Sequence, residues 1–145
     1  MSLKRIVIKI GTNVLQQTNG KLDYKLISEL TSQISRIRSN GHEVLLVSSG
    51  AVGAGRELCS VDESGNILAS HQILASVGQP KLIQIYSDSF MKHKTNVAQI
   101  LLTRGDFGHR KSYLNIRNTL ENLLKYKIVP IVNENDVVAT EELDL

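Results

Sequence analysis

The chain has 145 residues, of which 41% are hydrophobic and 21% are charged, with a net charge of +3 and one cysteine. This length suits one α/β domain. The lone Cys59 excludes an internal disulfide and disfavours a structural zinc site. The basic residues are scattered and aromatic rings are few, which disfavours nucleic acid as a partner. No apolar run approaches the roughly 20 residues that cross a bilayer, and the first residues lack the apolar core of a signal peptide, so we expect a cytoplasmic protein with no membrane partner.

An apolar segment around one cation begins the chain. The strand predicted at Arg5–Ile10 is apolar on both faces around Lys9, which is typical of a buried strand in a parallel sheet. A lysine in such surroundings must reach a sheet edge, join a salt bridge or meet an anionic ligand. Gly11, Thr12 and Asn13 follow directly and predict a glycine turn at the end of this strand.

The next segment predicts a helix and a second strand. Asp23 can cap the helix, and Asn40 with Gly41 can end it. The apolar run Glu43–Ser48 predicts the second strand, and the connection has the length of a right-handed βαβ crossover. The helical residues at inward spacing are Leu26, Ile27, Leu30, Ile34 and Ile37.

A glycine-rich segment, Ser48-Ser49-Gly50-Ala51-Val52-Gly53-Ala54-Gly55, follows the second strand. It predicts a turn that leads into a helix over residues 54–58, with glycines that let backbone N–H groups approach a ligand at the positive end of the helix. Parallel strands end at one edge of a sheet, so we expect Lys9 and both glycine turns to border one crevice that binds phosphate. The glycine spacing fits neither a dinucleotide fingerprint nor a Walker motif, and a purely structural turn is the alternative.

The middle of the chain predicts a long helix over residues 67–92. Pro80 lacks the N–H that a helix interior needs, so we expect a break near residues 78–80. A third strand is predicted at Val97–Leu102. The helical residues expected to pack on the sheet are Ile73, Leu74, Val77, Leu82, Ile83, Ile85 and Tyr86.

The remaining elements end in a polar cluster. We expect a turn at Arg104–Gly108, a helix over residues 112–126 and a strand over residues 128–132, in which Pro130 favours a strand end or an interrupted ladder. Residues 133–136 are Asn, Glu, Asn and Asp, placed where ligands bind in open α/β sheets. They could instead cap a helix or satisfy loop backbone. The inward residues of the last helix are Leu114, Ile116, Leu120, Leu123 and Leu124.

Four segments together resemble the amino-acid kinase superfamily, and within it the glutamate 5-kinases. They are residues 7–12 (VIKIGT), 47–52 (VSSGAV), 101–120 and 129–136 (VPIVNEND), so the resemblance covers nearly the whole chain. It implies a three-layer αβα sandwich around a mainly parallel open sheet.

The resemblance also implies a reaction. It is the ATP-dependent phosphorylation of the γ-carboxylate of L-glutamate to L-glutamyl 5-phosphate, the first step of proline biosynthesis, with Mg²⁺ as cofactor, proline as feedback inhibitor and a homo-oligomeric enzyme. The residues carried over are Lys9 as the catalytic lysine at the transferring phosphoryl group, Gly11 and Thr12 at the ATP phosphates, and Ser49, Gly50, Ala51, Asn133 and Asp136 at glutamate. No metal ligand is assigned.

One departure from the family bears on activity. Family members continue with a Gly-Asp-Asn-Asp segment and a second half that holds the nucleotide, and residues 1–145 contain neither. We therefore expect this chain to be the N-terminal, glutamate-binding part of a kinase, without its nucleotide-binding part and inactive alone. The alternatives are a superfamily kinase acting on acetylglutamate, aspartate, carbamate or UMP, a non-catalytic domain that binds small acids or assembles with a partner, and, more distantly, half of a dehydrogenase.

Overall fold

A four-stranded, all-parallel sheet forms the centre of the molecule in a computed structural model that describes residues 3–139. The strands are β1 (Arg5–Ile10), β2 (Glu43–Ser48), β3 (Val97–Leu102) and β4 (Val129–Glu134), in the spatial order β1-β2-β4-β3. The helices are α1 (Thr12–Leu15), α2 (Tyr24–Ser39), α3 (Ala51–Leu58), α4 (Ile67–Met91), α5 (Arg104–Gly108) and α6 (Arg110–Lys125).

The connections place helices on both faces of the sheet. The chain advances across the sheet from β1 to β2 to β3 and then turns back to β4. Right-handed crossovers that advance in opposite directions put their helices on opposite faces, so α2 to α4 cover one face and α6 packs on β2 and β4 from the other. This confirms the predicted three-layer αβα fold with a parallel open sheet.

The main core lies between the sheet and the helices α2 to α4. Alternate strand residues point into it, because successive side chains of a strand face opposite sides. Val44 and Leu46 of β2 and Ile131 of β4 are almost fully buried there. The buried helical residues that meet them include Ile27, Ile34, Leu82, Tyr86 and Phe90.

The prediction that β1 is buried on both faces is wrong. Within the described residues β1 is an edge strand that pairs only with β2, and its side chains alternate between exposed and partly buried positions. Val7 is 63% exposed. The apolar composition of a strand does not report its place in the sheet, and α6 leaves the outer face of β1 uncovered.

The glycine-rich segment differs from its prediction in where the helix begins. Helix α3 starts at Ala51 and not near Ala54, so Gly53 and Gly55 lie inside it. Cβ atoms on these two glycines would come closer than 3.0 Å to the Gln16 side chain and the Leu74 backbone, respectively. Their lack of a side chain therefore permits close packing and does not open a path to a ligand.

The predicted break in the long helix does not occur. Helix α4 is continuous over 25 residues with Pro80 inside it. Proline removes one backbone hydrogen bond, but α4 packs along α3 through Gly78, which is buried against Ala51 and Gly55, and this tertiary packing can offset the local loss. Two predicted packing residues are also exposed, Ile73 at 51% and Val77 at 38%.

The C-terminal elements are partly as predicted. The expected turn at residues 104–108 is the short helix α5, and α6 begins at Arg110, two residues earlier than expected. Leu114 is 46% exposed because α6 alone covers its face of the described sheet. Strand β4 continues to Glu134. Its ladder with β3 runs through Pro130 without a break, whereas its ladder with β2 starts only at Ile131, so the expected interruption is found on the β2 side alone.

The helix predicted between the first two strands is confirmed at both ends. Asp23 accepts a hydrogen bond from the Leu26 N–H at 3.0 Å, the contact that an N-terminal cap makes. Gly41 adopts a left-handed φ of +88° just beyond the end of α2. This conformation favours glycine and turns the chain into β2.

Candidate active site

The ends of the four strands border one cavity at the carboxyl edge of the sheet. Its volume is about 240 Å³. This is below the roughly 300–1,000 Å³ of pockets that hold drug-sized ligands, so the cavity suits a molecule the size of an amino acid. The residues proposed from the sequence that line it are Lys9, Thr12, Ser49, Gly50, Ala51, Asn133 and Asp136.

Gly11 is the proposed residue that stands apart. It is the N-terminal cap of α1, directly before Thr12, and it does not line the cavity. A Cβ atom on Gly11 would meet no heavy atom within 4 Å. No close approach to the rest of the described chain therefore requires glycine at this position.

Lys9 lies near the end of β1, paired in register with Val47 of β2. The prediction of a buried ammonium is wrong, because the residue is exposed. Its side chain projects from the face of β1 that α6 leaves uncovered, and it lines the cavity together with Val47. Lys9 is thus a solvent-accessible cation at the cavity edge, where it can meet an anionic ligand without the cost of burying a charge.

The turn between β2 and α3 supplies the backbone of the site. Ser49 donates its N–H to the carbonyl oxygen of Ile10 at 3.0 Å, which ties the turn to the end of β1. Gly50 has a φ of +111°, a conformation that favours glycine, and caps α3. The first N–H groups of a helix have no partner within it, so α3 presents them at the cavity wall beside Ala51.

Two buried hydroxyl groups lie directly under this turn, and no local sequence pattern pointed to them. The Tyr86 hydroxyl lies 2.7 Å from Ser48 Oγ, and Ser48 Oγ lies 3.0 Å from the carbonyl oxygen of Ser49. Burial raises the pKa of Tyr86 to about 12, against the opposing effect of the hydrogen bond with Ser48. The phenol therefore stays protonated at neutral pH.

The polar cluster after the fourth strand is divided between two environments. Asn133 and Glu134 are the last two residues of β4 and not loop residues as predicted. Asn133 donates its side-chain N–H to Gln79 Oε1 of α4 at 2.8 Å, and Gln79 donates in turn to Gln99 of β3 at 3.2 Å. Gln79, which the sequence did not single out, thus orients the Asn133 side chain.

The acidic part of the cavity consists of Glu134 and Asp136, both partly exposed. Within residues 3–139, no group of three or more His, Cys, Asp or Glu side chains is arranged to hold a metal ion. One or two carboxylates with ligand phosphates are a usual Mg²⁺ environment, so these two residues suit an ion that arrives with a nucleotide.

The last wall of the cavity is built by the end of β3 and by α5. Thr103 donates its backbone N–H and its hydroxyl to the Asp106 carboxylate at 2.7 Å and 2.8 Å. The Thr103 side chain also accepts from the Asp106 backbone N–H, which completes a capping box at the start of α5. The two bonds to the carboxylate hold the pKa of Asp106 below its ordinary value of 3.8. The cap presents Phe107, which is 51% exposed, along the cavity.

The fold and the site define a class of protein. A parallel sheet with helices on both faces and a small cavity at its carboxyl edge, lined by one cation and two carboxylates, defines an α/β domain with a site of the kind that suits a small charged molecule. The chain belongs to the amino acid kinase family, which matches residues 4–145. This confirms the superfamily that the four sequence segments predicted.

Three curated relatives show how far the similarity extends. The glutamate 5-kinase of Chlorobaculum tepidum is 53% identical to this chain over 142 residues, which cover 97% of the chain and 39% of the relative. The glutamate 5-kinase of Caldanaerobacter subterraneus is 46% identical, with coverage of 97% and 38%. That of Lactiplantibacillus plantarum is 43% identical, with coverage of 99% and 54%. The chain therefore spans between about two fifths and about half of the length of these relatives.

The helices were also compared with the length and polarity of a membrane-spanning segment. Among residues 3–139, no helix combines the length and the apolar character that crossing a bilayer requires.

Proposed function

We propose that the full-length gene product transfers the γ-phosphoryl group of ATP to the γ-carboxylate of L-glutamate and forms L-glutamyl 5-phosphate, in the cytoplasm and as the first step toward proline. The observation that carries this proposal is the convergence of Lys9, the Ser49–Ala51 turn and Asp136 on one cavity of amino-acid size. The names of the similar relatives supply the substrate.

The two ends of the cavity suit the two ends of glutamate. Asp136 would meet the ammonium group, which distinguishes an amino acid from a plain dicarboxylate. Ser49 and the N–H groups of Gly50 and Ala51 would receive a carboxylate, and Asn133, oriented by Gln79, would add a polar contact. Lys9 would face the phosphoryl group that is transferred.

The proposed chemistry needs positioning and charge compensation and no general base. The glutamate side chain has a reference pKa of about 4.3 and is already ionised at neutral pH. One carboxylate oxygen forms a bond to the γ-phosphorus while the bond to the bridging oxygen breaks and ADP leaves. Two like charges at about 4 Å repel by about 4 kcal/mol at an effective dielectric constant of 20, and Lys9 would offset this repulsion.

The nucleotide would be held only in part by the described residues. We propose that Lys9, Gly11 and Thr12 lie on its phosphate side and that residues 1–145 supply the glutamate-binding part of the kinase domain. Mg²⁺ would neutralise the triphosphate, with Glu134 as the cavity carboxylate that is not assigned to the amino acid. A cavity of about 240 Å³ has the size of an amino-acid site, which supports the assignment of residues 1–145 to the glutamate side.

A direct assay tests the proposal. The full-length product, incubated with ATP, Mg²⁺, L-glutamate and hydroxylamine, should form glutamyl hydroxamate as the acyl phosphate is trapped. ADP release should be fastest with glutamate among glutamate, N-acetylglutamate, aspartate, carbamate and UMP. Faster release with another acceptor would contradict the substrate assignment, and glutamate binding without turnover would favour a non-catalytic domain.

Regulation and assembly belong to the same proposal. We propose that proline binds the glutamate cavity as a feedback inhibitor and that the enzyme is a homo-oligomer. Calorimetry should then show that glutamate and proline displace each other, and the mass measured in solution should be a multiple of the chain mass. Simultaneous binding of both ligands would contradict a shared site.

A further inference from the structure

A buried hydroxyl pair under the Ser49–Gly50 turn is the starting point. Tyr86 and Ser48 are 0% and 1% exposed, and they come from α4 and from the end of β2. Their oxygens lie 2.7 Å apart, and Ser48 Oγ also lies 3.0 Å from the carbonyl oxygen of Ser49. A side chain of the helical layer therefore reaches the site backbone through one intermediate oxygen.

Only one arrangement of protons satisfies both contacts. A carbonyl oxygen cannot donate, so Ser48 must give its single hydroxyl proton to Ser49. The Tyr86 hydroxyl must then donate to Ser48 Oγ, and the relay runs from Tyr86 through Ser48 to Ser49. The raised pKa of Tyr86, about 12 because of burial, keeps the first donor protonated over the whole physiological range.

The relay determines the direction of a peptide group in the site. The peptide between Ser49 and Gly50 is trans, so its C=O and N–H point in opposite directions. Because the carbonyl is held toward the buried Ser48, the N–H of Gly50 is turned away from α4. Ser49, Gly50 and Ala51 line the cavity wall, and Ser48 lines it as well.

We propose that Tyr86 and Ser48 are positioning residues that aim the Gly50 N–H at the carboxylate of the bound amino acid. We call them positioning residues because Tyr86 reaches the site only through Ser48, and Ser48, which also lines the cavity, donates its hydroxyl proton to the Ser49 carbonyl. This inference rests on the proposed function, since it deepens the description of the same site. It assigns a role in substrate affinity to Tyr86, 38 residues away in sequence from its partner Ser48.

The chain offers a matched control on the same helix. Ser89 of α4 and Thr31 of α2 form a second buried hydroxyl pair, with their oxygens 2.6 Å apart and exposures of 6% and 0%. Neither Ser89 nor Thr31 lines the cavity. Ser89→Ala therefore removes a comparable buried hydrogen bond without reaching the turn.

The test compares Tyr86→Phe, Ser48→Ala and Ser89→Ala in the full-length gene product. A hydrogen bond of ordinary strength corresponds to about a fivefold to tenfold change in an equilibrium constant. We expect the KM for glutamate to rise about fivefold in Tyr86→Phe and about tenfold in Ser48→Ala, with kcat and the KM for ATP within about twofold of wild type, as loss of uniform binding predicts. Ser89→Ala should leave all three constants unchanged.

A double variant separates a relay from two independent effects. Since Tyr86 acts only through Ser48, Tyr86→Phe combined with Ser48→Ala should raise the KM for glutamate no more than Ser48→Ala alone. If the double variant instead raised the KM for glutamate by the product of the two single-variant factors, the relay would be overturned. If Tyr86→Phe does not fold, the KM for glutamate is compared between Ser48→Ala and Ser89→Ala, and the unfolding midpoints of both variants show that they are folded.

Two outcomes of the single variants would also overturn the inference. One is an unchanged KM for glutamate in both Tyr86→Phe and Ser48→Ala. The other is a rise of the KM for glutamate in Ser89→Ala that equals the rise in Ser48→Ala. Failure of the proposed function looks different, because the wild-type protein would then form no hydroxamate from glutamate. A wild-type enzyme that turns over glutamate while its Ser48→Ala variant keeps the same KM refutes the positioning role alone.

Discussion

Lys9 is the single cation that lines the cavity within the part of the chain that the structure describes. It lies on an edge strand, and its side chain is exposed at the cavity edge. A charge so placed contributes most where negative charge moves during the reaction. Its effect should therefore appear in turnover more than in amino-acid binding.

Lys9→Ala in the full-length product should lower kcat by about 100-fold or more while changing glutamate affinity by less than about threefold. The reason is that its ammonium would meet the phosphoryl group and not the amino acid. Steady-state kinetics with calorimetry for glutamate checks this. Lys4→Ala, just before the opposite end of β1, is the control and should be neutral; an unchanged kcat in Lys9→Ala would remove Lys9 from the mechanism.

Gly50 allows a second test at the scale of one residue. Its φ of +111° is strained for other residues, and a Cβ atom there would lie 3.3 Å from Leu15 Cδ1. Gly50→Ala should lower the free energy of unfolding by about 2–4 kcal/mol, from backbone strain and close contact together. Gly41→Ala isolates the strain, since its φ is +88° with no atom within 4 Å, and should cost about 1–2 kcal/mol. If urea unfolding showed that Gly50→Ala and Gly41→Ala lose the same free energy of unfolding, the Leu15 contact would make no contribution.

Helices α3 and α4 are the elements that hold the turn in place. They pack so closely that Cβ atoms on Gly55 or Gly78 would come nearer than 3.0 Å to the backbone of the other helix. Since α3 begins directly at Gly50, any separation of the two helices would move the turn and its N–H groups. The packing of these helices is thus the structural basis of the cavity wall.

Gly78→Ala measures this packing. Alanine in a helix interior is ordinarily more favourable than glycine by about 1 kcal/mol. Here the contact with the Ala51 carbonyl should reverse the sign and destabilise the protein by about 2 kcal/mol or more, as seen in urea unfolding. Gly65→Ala, where a Cβ atom meets nothing within 4 Å, should stay within about 0.5 kcal/mol of wild type. A stabilised Gly78→Ala variant would show that α4 can move away from α3.

The capping box of α5 predicts a dependence on pH. The folded pKa of Asp106 lies below 3.8 because Thr103 donates two hydrogen bonds to it. The carboxylate therefore stabilises the fold above pH 3.8, and this contribution is lost as pH falls through the lower folded pKa. The difference in unfolding free energy between wild type and Asp106→Asn should be constant at neutral pH and shrink below pH 3.8. A difference that does not vary with pH would mean that the cap is not formed in solution.

At the scale of the whole molecule, this chain covers 39% of its relative from Chlorobaculum tepidum. Its cavity has the volume of an amino-acid site. We expect the 145-residue polypeptide to bind ATP poorly and to form no glutamyl hydroxamate, whereas the full-length product forms it. Hydroxamate from the isolated 145 residues, above a Lys9→Ala control of the same length, would contradict this expectation.

Local patterns in the sequence predicted much of this architecture. The bounds of β1, β2 and β3 and the Asp23 cap were predictable because runs of apolar residues and capping side chains act over a few neighbouring positions. The placement of Lys9, Ser49 and Asp136 at one edge followed from the common direction of parallel strands. Their roles in binding and catalysis stay predictions.

Other features depend on partners that are distant in sequence. The sequence of β1 resembles a buried strand, but its exposure is decided by its place at the edge of the described sheet. The continuity of α4 through Pro80 depends on its packing against α3. The sequence around Gly53 and Gly55 resembles a ligand-binding turn, but their close packing against Gln16 and Leu74 is decided by the tertiary structure.

By itself, the sequence determined the order and type of the main strands and helices and the edge at which polar residues gather. Short-range hydrogen bonding and alternating polarity decide these features. The tertiary structure alone decided that Lys9 is exposed, that Gln79 orients Asn133, and that Tyr86 reaches the turn through Ser48. Each of these depends on distances between residues that only the packing of helices against the sheet brings together.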